Sequence, residues 1–203
     1  MKNKLQFVSQ DLDMKFLKFY TAYYLNEETG KQREYFFASR NSYDELAAKS
    51  DIVKANAVEM FTYIKENDAY KIVMVKEFRP AINKYVYAFA AGLIDGNETR
   101  DEAAKREIKE ELGGTVKSID WCYDKPLLTS AGLSDEANYL AIVELEALNE
   151  QHLEDSEEIE VKKYTVSEVK EMLAKGEIQL TLPGYLGLNL LINRIGDKNG
   201  VRS

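Results

Sequence analysis

Apolar residues along this chain follow two rhythms. Short runs rich in aromatic and β-branched residues, bounded by turn-forming clusters, predict strands. The runs 15–25 (KFLKFYTAYYL) and 33–40 (REYFFASR) flank the turn NEETGKQ and predict a hairpin, preceded by a mixed start over residues 1–13 that is expected to be poorly ordered or docked on a partner. Further strands are expected at 55–64 and 70–77 around KENDA, at 85–90, and at 116–123, 139–145 and 159–165. Residues 41–53 are polar and fit either a helical turn or a loop. Helical spacing governs residues 99–112, 167–175 and 184–195, with Ser167 as the expected N-cap of the second helix and Gly176 as its stop. Strands on both sides of one crossing helix, with helices following, predict an α/β (α+β) chain whose mixed sheet lies between helices.

The first of these helices carries the unusual chemistry. Thr99 and Glu102 stand in capping-box relation, and Asp101 and Glu102 complement the positive end of the helix dipole. Ala103, Ala104, Ile108 and Leu112 form a narrow apolar stripe, and Gly113-Gly114 supply the left-handed stop. At about 100° per residue, Glu107, Glu110 and Glu111 then crowd together beside that stripe. Like charges three and four apart repel. A hard divalent cation with oxygen ligands, Mg2+ or Mn2+, explains them, and a solvated acidic face is the alternative.

Composition narrows the classes. The 203 residues, 45% hydrophobic, suffice for one sizeable core with an appendage. A net charge of -8 argues against a sequence-independent hold on nucleic acid, but not against a small phosphorylated ligand gripped by local Arg side chains. Cys122 is the only cysteine, which excludes an intrachain disulfide and suggests a reducing, cytoplasmic setting; beside Trp121 in a strand it is expected to be buried. The start, MKNKLQFVSQDLD, lacks the apolar region of a signal peptide, and the longest apolar run, 85–94, is too short for a bilayer. No membrane partner is expected. His152, the sole histidine, sits in an acidic connector and reads as solvated.

The loop and helix from Gly92 onward resemble the Nudix hydrolase signature, G-x5-E-x7-R-E-(aliphatic)-x-E-E-x-G-(aliphatic). Gly92, Glu98, Arg106, Glu107, Ile108, Glu110, Glu111 and Gly113 match at every spacing, and only Gly114 departs, standing where an aliphatic residue is usual. The flanks are similar to the ADP-ribose pyrophosphatase branch, with Arg79-Pro80 before a strand that ends in Ala91-Gly92. Residues 35–40 resemble a Trp-x-x-x-x-Arg stretch of that branch, with Tyr35 in place of Trp and Arg40 as the Arg. Ser130-Ala131-Gly132 stands where the branch carries Ser-Pro-Gly, and Ser134-Asp135-Glu136 is similar to a loop that supplies a late carboxylate.

The resemblance implies a Nudix-type α/β/α sandwich over residues 45–203 and an N-terminal hairpin region, 1–44, that helps form a homodimer. It implies Mg2+ or Mn2+ on Glu107 and Glu111, with help from Glu110 and the Ala91 carbonyl, and Glu136 as the group that orients or deprotonates water. Glu98 and Arg106 would pair to fix the loop, Arg79 would grip phosphate, Tyr35 would stack on the base, and Arg40 would bind substrate beside it. The activity implied is hydrolysis of the pyrophosphate bond of a nucleoside diphosphate derivative, ADP-ribose or an ADP-sugar first, to AMP and a sugar phosphate. Another nucleotide sugar or dinucleotide, or a sensor that binds without turnover, are the alternatives.

Overall fold

The computed structural model describes residues 2–154 and 157–196. It divides into two compact units, Met1–Ala57 with Lys125–Tyr139, and Val58–Asp124 with Leu140–Ser203.

The first unit is built on an antiparallel sheet of β1 (Asn3–Asp13), β2 (Lys18–Asn26) and β3 (Gln32–Ser39), in that order. Alternation along the strands sends Val8, Tyr20, Ala22 and Phe37 to one face, where they close on Leu46 just before the short helix α1 (Ala47–Ser50). Asn3–Asp13 is therefore a strand and not the poorly ordered start expected. Register shifts between Leu5 and Phe7 and between Gln10 and Leu12 break its alternation, which hides the strand from a period-two reading. The opposite face keeps Phe7, Phe19 and Phe36 exposed, with Phe7 stacked on Tyr23 at 4.3 Å. The returning segment is tied to this sheet by backbone: Ala38 N–H donates to Leu133 O at 2.9 Å. Asn56 exchanges two hydrogen bonds with Ala137, at 2.7 and 3.2 Å.

The second unit holds most of a large mixed sheet, ordered β11 (Ile159–Tyr164), β5 (Ala69–Arg79), β4 (Ala57–Glu66), β10 (Ala137–Leu148), β8 (Gly114–Trp121). Asn67 and Asp68 both adopt positive φ, as the tight turn between β4 and β5 requires. The sheet then splits. The first half of β5 pairs with β4, and its second half, from Val75, pairs with β6 (Lys84–Ala88). β7 (Ala90–Leu93) crosses to β4, so the single strand expected at 85–90 is two, broken at buried Phe89. The short β9 (Leu127–Leu128) pairs with the start of β10.

β4 is buried at eight successive residues, the mark of a strand covered on both faces. On one face α3 (Val166–Lys175) and α4 (Leu182–Gly196) bury Val169, Leu188, Leu191 and Ile195 against Phe61, Tyr63, Ile72, Met74 and Phe89. Leu140 and Ile142 of β10 join that cluster. The intervening residues Ala141, Val143 and Leu145 are buried on the other face, where α2 (Arg100–Leu112) packs Ile108 close to Leu145. α3 starts on Thr165 with a capping box to Glu168, so Thr165, and not Ser167, is its N-cap. The reciprocal Thr165–Glu168 pair satisfies two orphan N–H groups, which a Ser167 start could not. Cys122 lies exposed, contrary to expectation, because it falls just past the end of β8. No helix among the described residues is long and apolar enough to cross a membrane.

Gly113 ends α2 at φ 62°, and a Cβ there would lie 2.3 Å from Asn149 O and 2.5 Å from Glu150 O. Gly113→Ala is expected to cost about 2 kcal/mol or more, since left-handed strain and a backbone clash combine. Thermal denaturation reads this as a lower Tm; an unchanged Tm would contradict the clash.

Candidate active site

α2 begins as its sequence dictates. Thr99 accepts from the Glu102 N–H, and Glu102 accepts from the Thr99 N–H at 2.8 Å. A cap of this kind contributes about 1 kcal/mol. It also fixes where the helix starts, and hence which side chains face the sheet. Gly96 at φ 53° turns the preceding loop back, and Glu98 closes it by accepting from Asp95 N at 3.1 Å.

Arg106 clamps this loop to the helix. Its Nε and Nη2 donate to the two Glu98 oxygens at 2.9 and 3.0 Å, and Nη2 also donates to Leu93 O at 2.9 Å. Nη1 donates to Glu107 at 2.6 Å and to Glu110 at 3.2 Å. A planar guanidinium suits such a fork. These hydrogen bonds hold Glu98 below the usual carboxylate range and raise Arg106 above its own.

Beneath the clamp, negative charge is in excess. Glu107 and Glu111 are buried, at 8% and 6% exposure. Burial pushes the Glu107 carboxyl up, partly offset by Arg106. Burial and then repulsion from Glu107 push Glu111 up much further, and its hydrogen bond from Ala91 N at 3.1 Å offsets this only in part. Glu77 and Glu157 add repulsion to Glu111. Ala91 belongs to β7, so the strand edge meets the helix at Glu111. Gly92 permits the close packing: a Cβ there would stand 1.8 Å from the Glu107 carboxyl.

Arg79 ends β5, half exposed, with Nη2 2.6 Å from Glu77. Among the described residues no group of three acidic, His or Cys side chains is closed into a metal cage, because Glu107 is turned onto Arg106 and Glu111 onto Ala91. The donor set nonetheless fits a hard divalent cation: buried oxygens, mutual repulsion and a single Arg as counter-charge.

The remaining candidates gather in the first unit. Arg40 Nε donates to Glu136 at 2.7 Å, and the Tyr35 hydroxyl donates to Gly132 O at 2.7 Å. Thr129 adds a hydrogen bond to Glu136 at 3.3 Å. Asp135 accepts from Asn41 and from the Ala47 N–H, which orders the loop that presents Glu136.

Glu59, Glu77 and Glu157 were not singled out by the sequence reading. Glu77 shares a face of β5 with Arg79, two residues on, and alternation would have found it. Glu59 is a charge inside the apolar run AVEMFTYI, which is a signal in itself. Glu157 sits in an acidic stretch with no distinguishing local pattern.

Gly92→Ala is expected to leave the fold intact, since the clash is with the end of a flexible side chain, but to displace Glu107. Mn2+ affinity by titration calorimetry should fall by about tenfold or more, the scale of a disturbed ligand support. Wild-type affinity would show that Glu107 does not hold the ion.

A loop clamped to a helix by Glu98 and Arg106, above buried carboxylates, defines a class. Residues 53–182 match the NUDIX domain family, and the chain belongs to it. As an enzyme it is a Nudix pyrophosphohydrolase. Among its relatives is the ADP-ribose pyrophosphatase of Bacillus subtilis, 30% identical over 135 residues, covering 65% of this chain and 70% of the relative. An uncharacterised Nudix hydrolase of Schizosaccharomyces pombe is 32% identical over 151 residues, covering 72% and 70%. In fold, the chain is similar to the crystal structure of an ADP compounds hydrolase, with a TM-score of 0.70 at 18% identity and coverage of 100% and 98%.

Proposed function

We propose that this enzyme hydrolyses the pyrophosphate bond of ADP-ribose or an ADP-sugar with the help of Mg2+ or Mn2+, releasing AMP and a sugar phosphate. The observation that carries the reading is the buried pair Glu107 and Glu111, which repel each other and have Arg106, bonded to Glu107, as their counter-charge. The name of the Bacillus subtilis relative supports the ADP-ribose class.

Glu107 and Glu111 would hold the cation, with Glu110 and the Ala91 carbonyl assisting. When bound, such an ion supplies Lewis acidity toward phosphate oxygens and lowers the pKa of a water. The protein's own part is positional. Glu98 and Arg106 keep the loop folded over the helix, Arg79 offers a guanidinium to phosphate, and Glu77 parks that guanidinium until an anion competes for it. Glu136 takes the proton in this reading, Tyr35 meets the base, and Arg40 binds substrate. The exposed aromatic face of the N-terminal sheet, with Phe7, Phe19 and Phe36, supports a homodimer formed through it. A cytoplasmic setting belongs to the same reading, as does the absence of a nucleic-acid partner.

The test is a panel of ADP-ribose, ADP-glucose, UDP-glucose, NADH, diadenosine polyphosphates and nucleoside triphosphates, each with Mg2+ and with Mn2+. Metal-dependent AMP release, greatest from ADP-ribose or ADP-glucose, is expected. Preference for another compound would discard the substrate and keep the chemistry. Tight nucleotide binding with no turnover would make the protein a sensor. Glu136→Gln adds the second arm: kcat should fall with KM little changed, and an unaltered kcat would remove Glu136 from the chemistry.

A further inference from the structure

On the side of α2 away from the carboxylates lies a cavity of about 410 Å3, the size of a small-metabolite pocket. At about 100° per residue, Lys105 and Lys109 fall on the opposite side of the helix from Glu107 and Glu111. Both lysines line the cavity, and His152 stands with them. We propose that this cavity, lined by Lys105, Lys109 and His152, is a second binding site, for a small phosphate monoester such as a sugar phosphate.

Charge is the first argument. Lys105 and Lys109, one helical turn apart, repel each other, and neither forms an ion pair among the described residues. That is an odd arrangement in a chain of net charge -8, where carboxylates are plentiful. Among the described residues Glu150 is the single carboxylate lining the cavity, so the two ammonium groups leave an excess of positive charge.

The helix end gives the second argument. A helix C-terminus ordinarily repels anions through its free carbonyls. Here the carbonyls of Glu110 and Gly113 accept from the backbone N–H groups of His152 and Asn149 at 2.8 and 2.7 Å, and Gln151 Nε2 donates to Glu111 O. The dipole's negative end is thereby capped, and of the cavity's charged groups only Glu150 opposes the two lysines. A phosphate monoester offers oxygens to both ammonium groups, while the Thr115 hydroxyl and the Asn149 amide, also lining the cavity, suit the hydroxyls of an attached sugar.

His152 is the chain's only histidine, so its Hε1 proton gives one isolated NMR signal at the site. Metal-free protein in EDTA, at constant ionic strength, would be titrated with ribose 5-phosphate and separately with inorganic phosphate. A saturable shift of the His152 signal is expected, tighter for ribose 5-phosphate and unchanged in Glu111→Gln. In Lys105→Gln/Lys109→Gln the affinity should fall at least tenfold, and Lys105→Arg/Lys109→Arg should restore it. A drift without saturation, equal affinity for inorganic phosphate, loss of the shift in Glu111→Gln, or a saturable shift that survives the double Gln substitution would each overturn the proposal.

Discussion

Glu111→Gln is expected to abolish turnover and, in the absence of metal, to raise Tm. Both effects follow from one buried carboxylate. Its ordinary value is 4.5, and burial with repulsion from Glu107 places it well above that in the folded state. A carboxyl raised on folding binds protons more tightly in the native state. Its contribution is therefore harmless below the unfolded value and increasingly destabilising as pH climbs through the folded one. Gln keeps the shape and the acceptor for the Ala91 N–H, and removes the charge. The Tm advantage of the variant should thus appear above about pH 4.5 and widen with pH, at about 2–4 °C for each kcal/mol recovered. Turnover should fall by at least about a hundredfold, more than disturbed ligand supports cost. Stability gained where activity is lost is the expected trade at a strained site. A variant that hydrolyses substrate within about tenfold of wild type would remove Glu111 from the machinery.

Glu59→Gln is expected to stabilise the protein at pH 8 and to leave it unaltered at pH 4. Glu59 is 6% exposed in β4, and among the described residues it forms no hydrogen bond or ion pair. Burial pushes its carboxyl from 4.5 to about 7; Arg79 opposes the rise and Glu77 adds to it. At about 1.4 kcal/mol per pH unit across that window, ionising Glu59 in the fold costs about 3 kcal/mol. The sign is again that of a raised carboxylate: the penalty is absent below 4.5, grows as pH rises, and is complete above about 7. A Tm gain of about 6–12 °C at pH 8 is the corresponding thermal signal. Equal gains at both pH values would mean that Gln packs better and that the charge is immaterial.

What the sequence made legible was local. The Thr99–Glu102 cap, the Gly113 stop and the Glu98–Arg106 spacing each express a rule that operates within one or two turns of chain, and the structure realises all of them. The strand runs were readable for the same reason, since β-branched and aromatic stretches between turns leave little choice. Tertiary context was not readable. The break at Phe89 depends on two neighbours, β4 and β5, parting company. The β1 strand depends on bulges that pairing with β2 tolerates. Glu157 reaches the neighbourhood of Glu77, Glu107 and Glu111 only because the connector folds back over α2. Nothing in its own surroundings in sequence announces that.

That fold-back has a kinetic consequence. Residues 149–152 have no regular secondary structure, and the His152 side chain is exposed, yet the Asn149 and His152 amides are bonded to the last turn of α2. Their hydrogen exchange with solvent should therefore follow the opening of that turn and not the rate of a free loop. The connector becomes, in dynamic terms, an extension of the helix it caps. A disturbance that frays the end of α2 will release the connector in the same event.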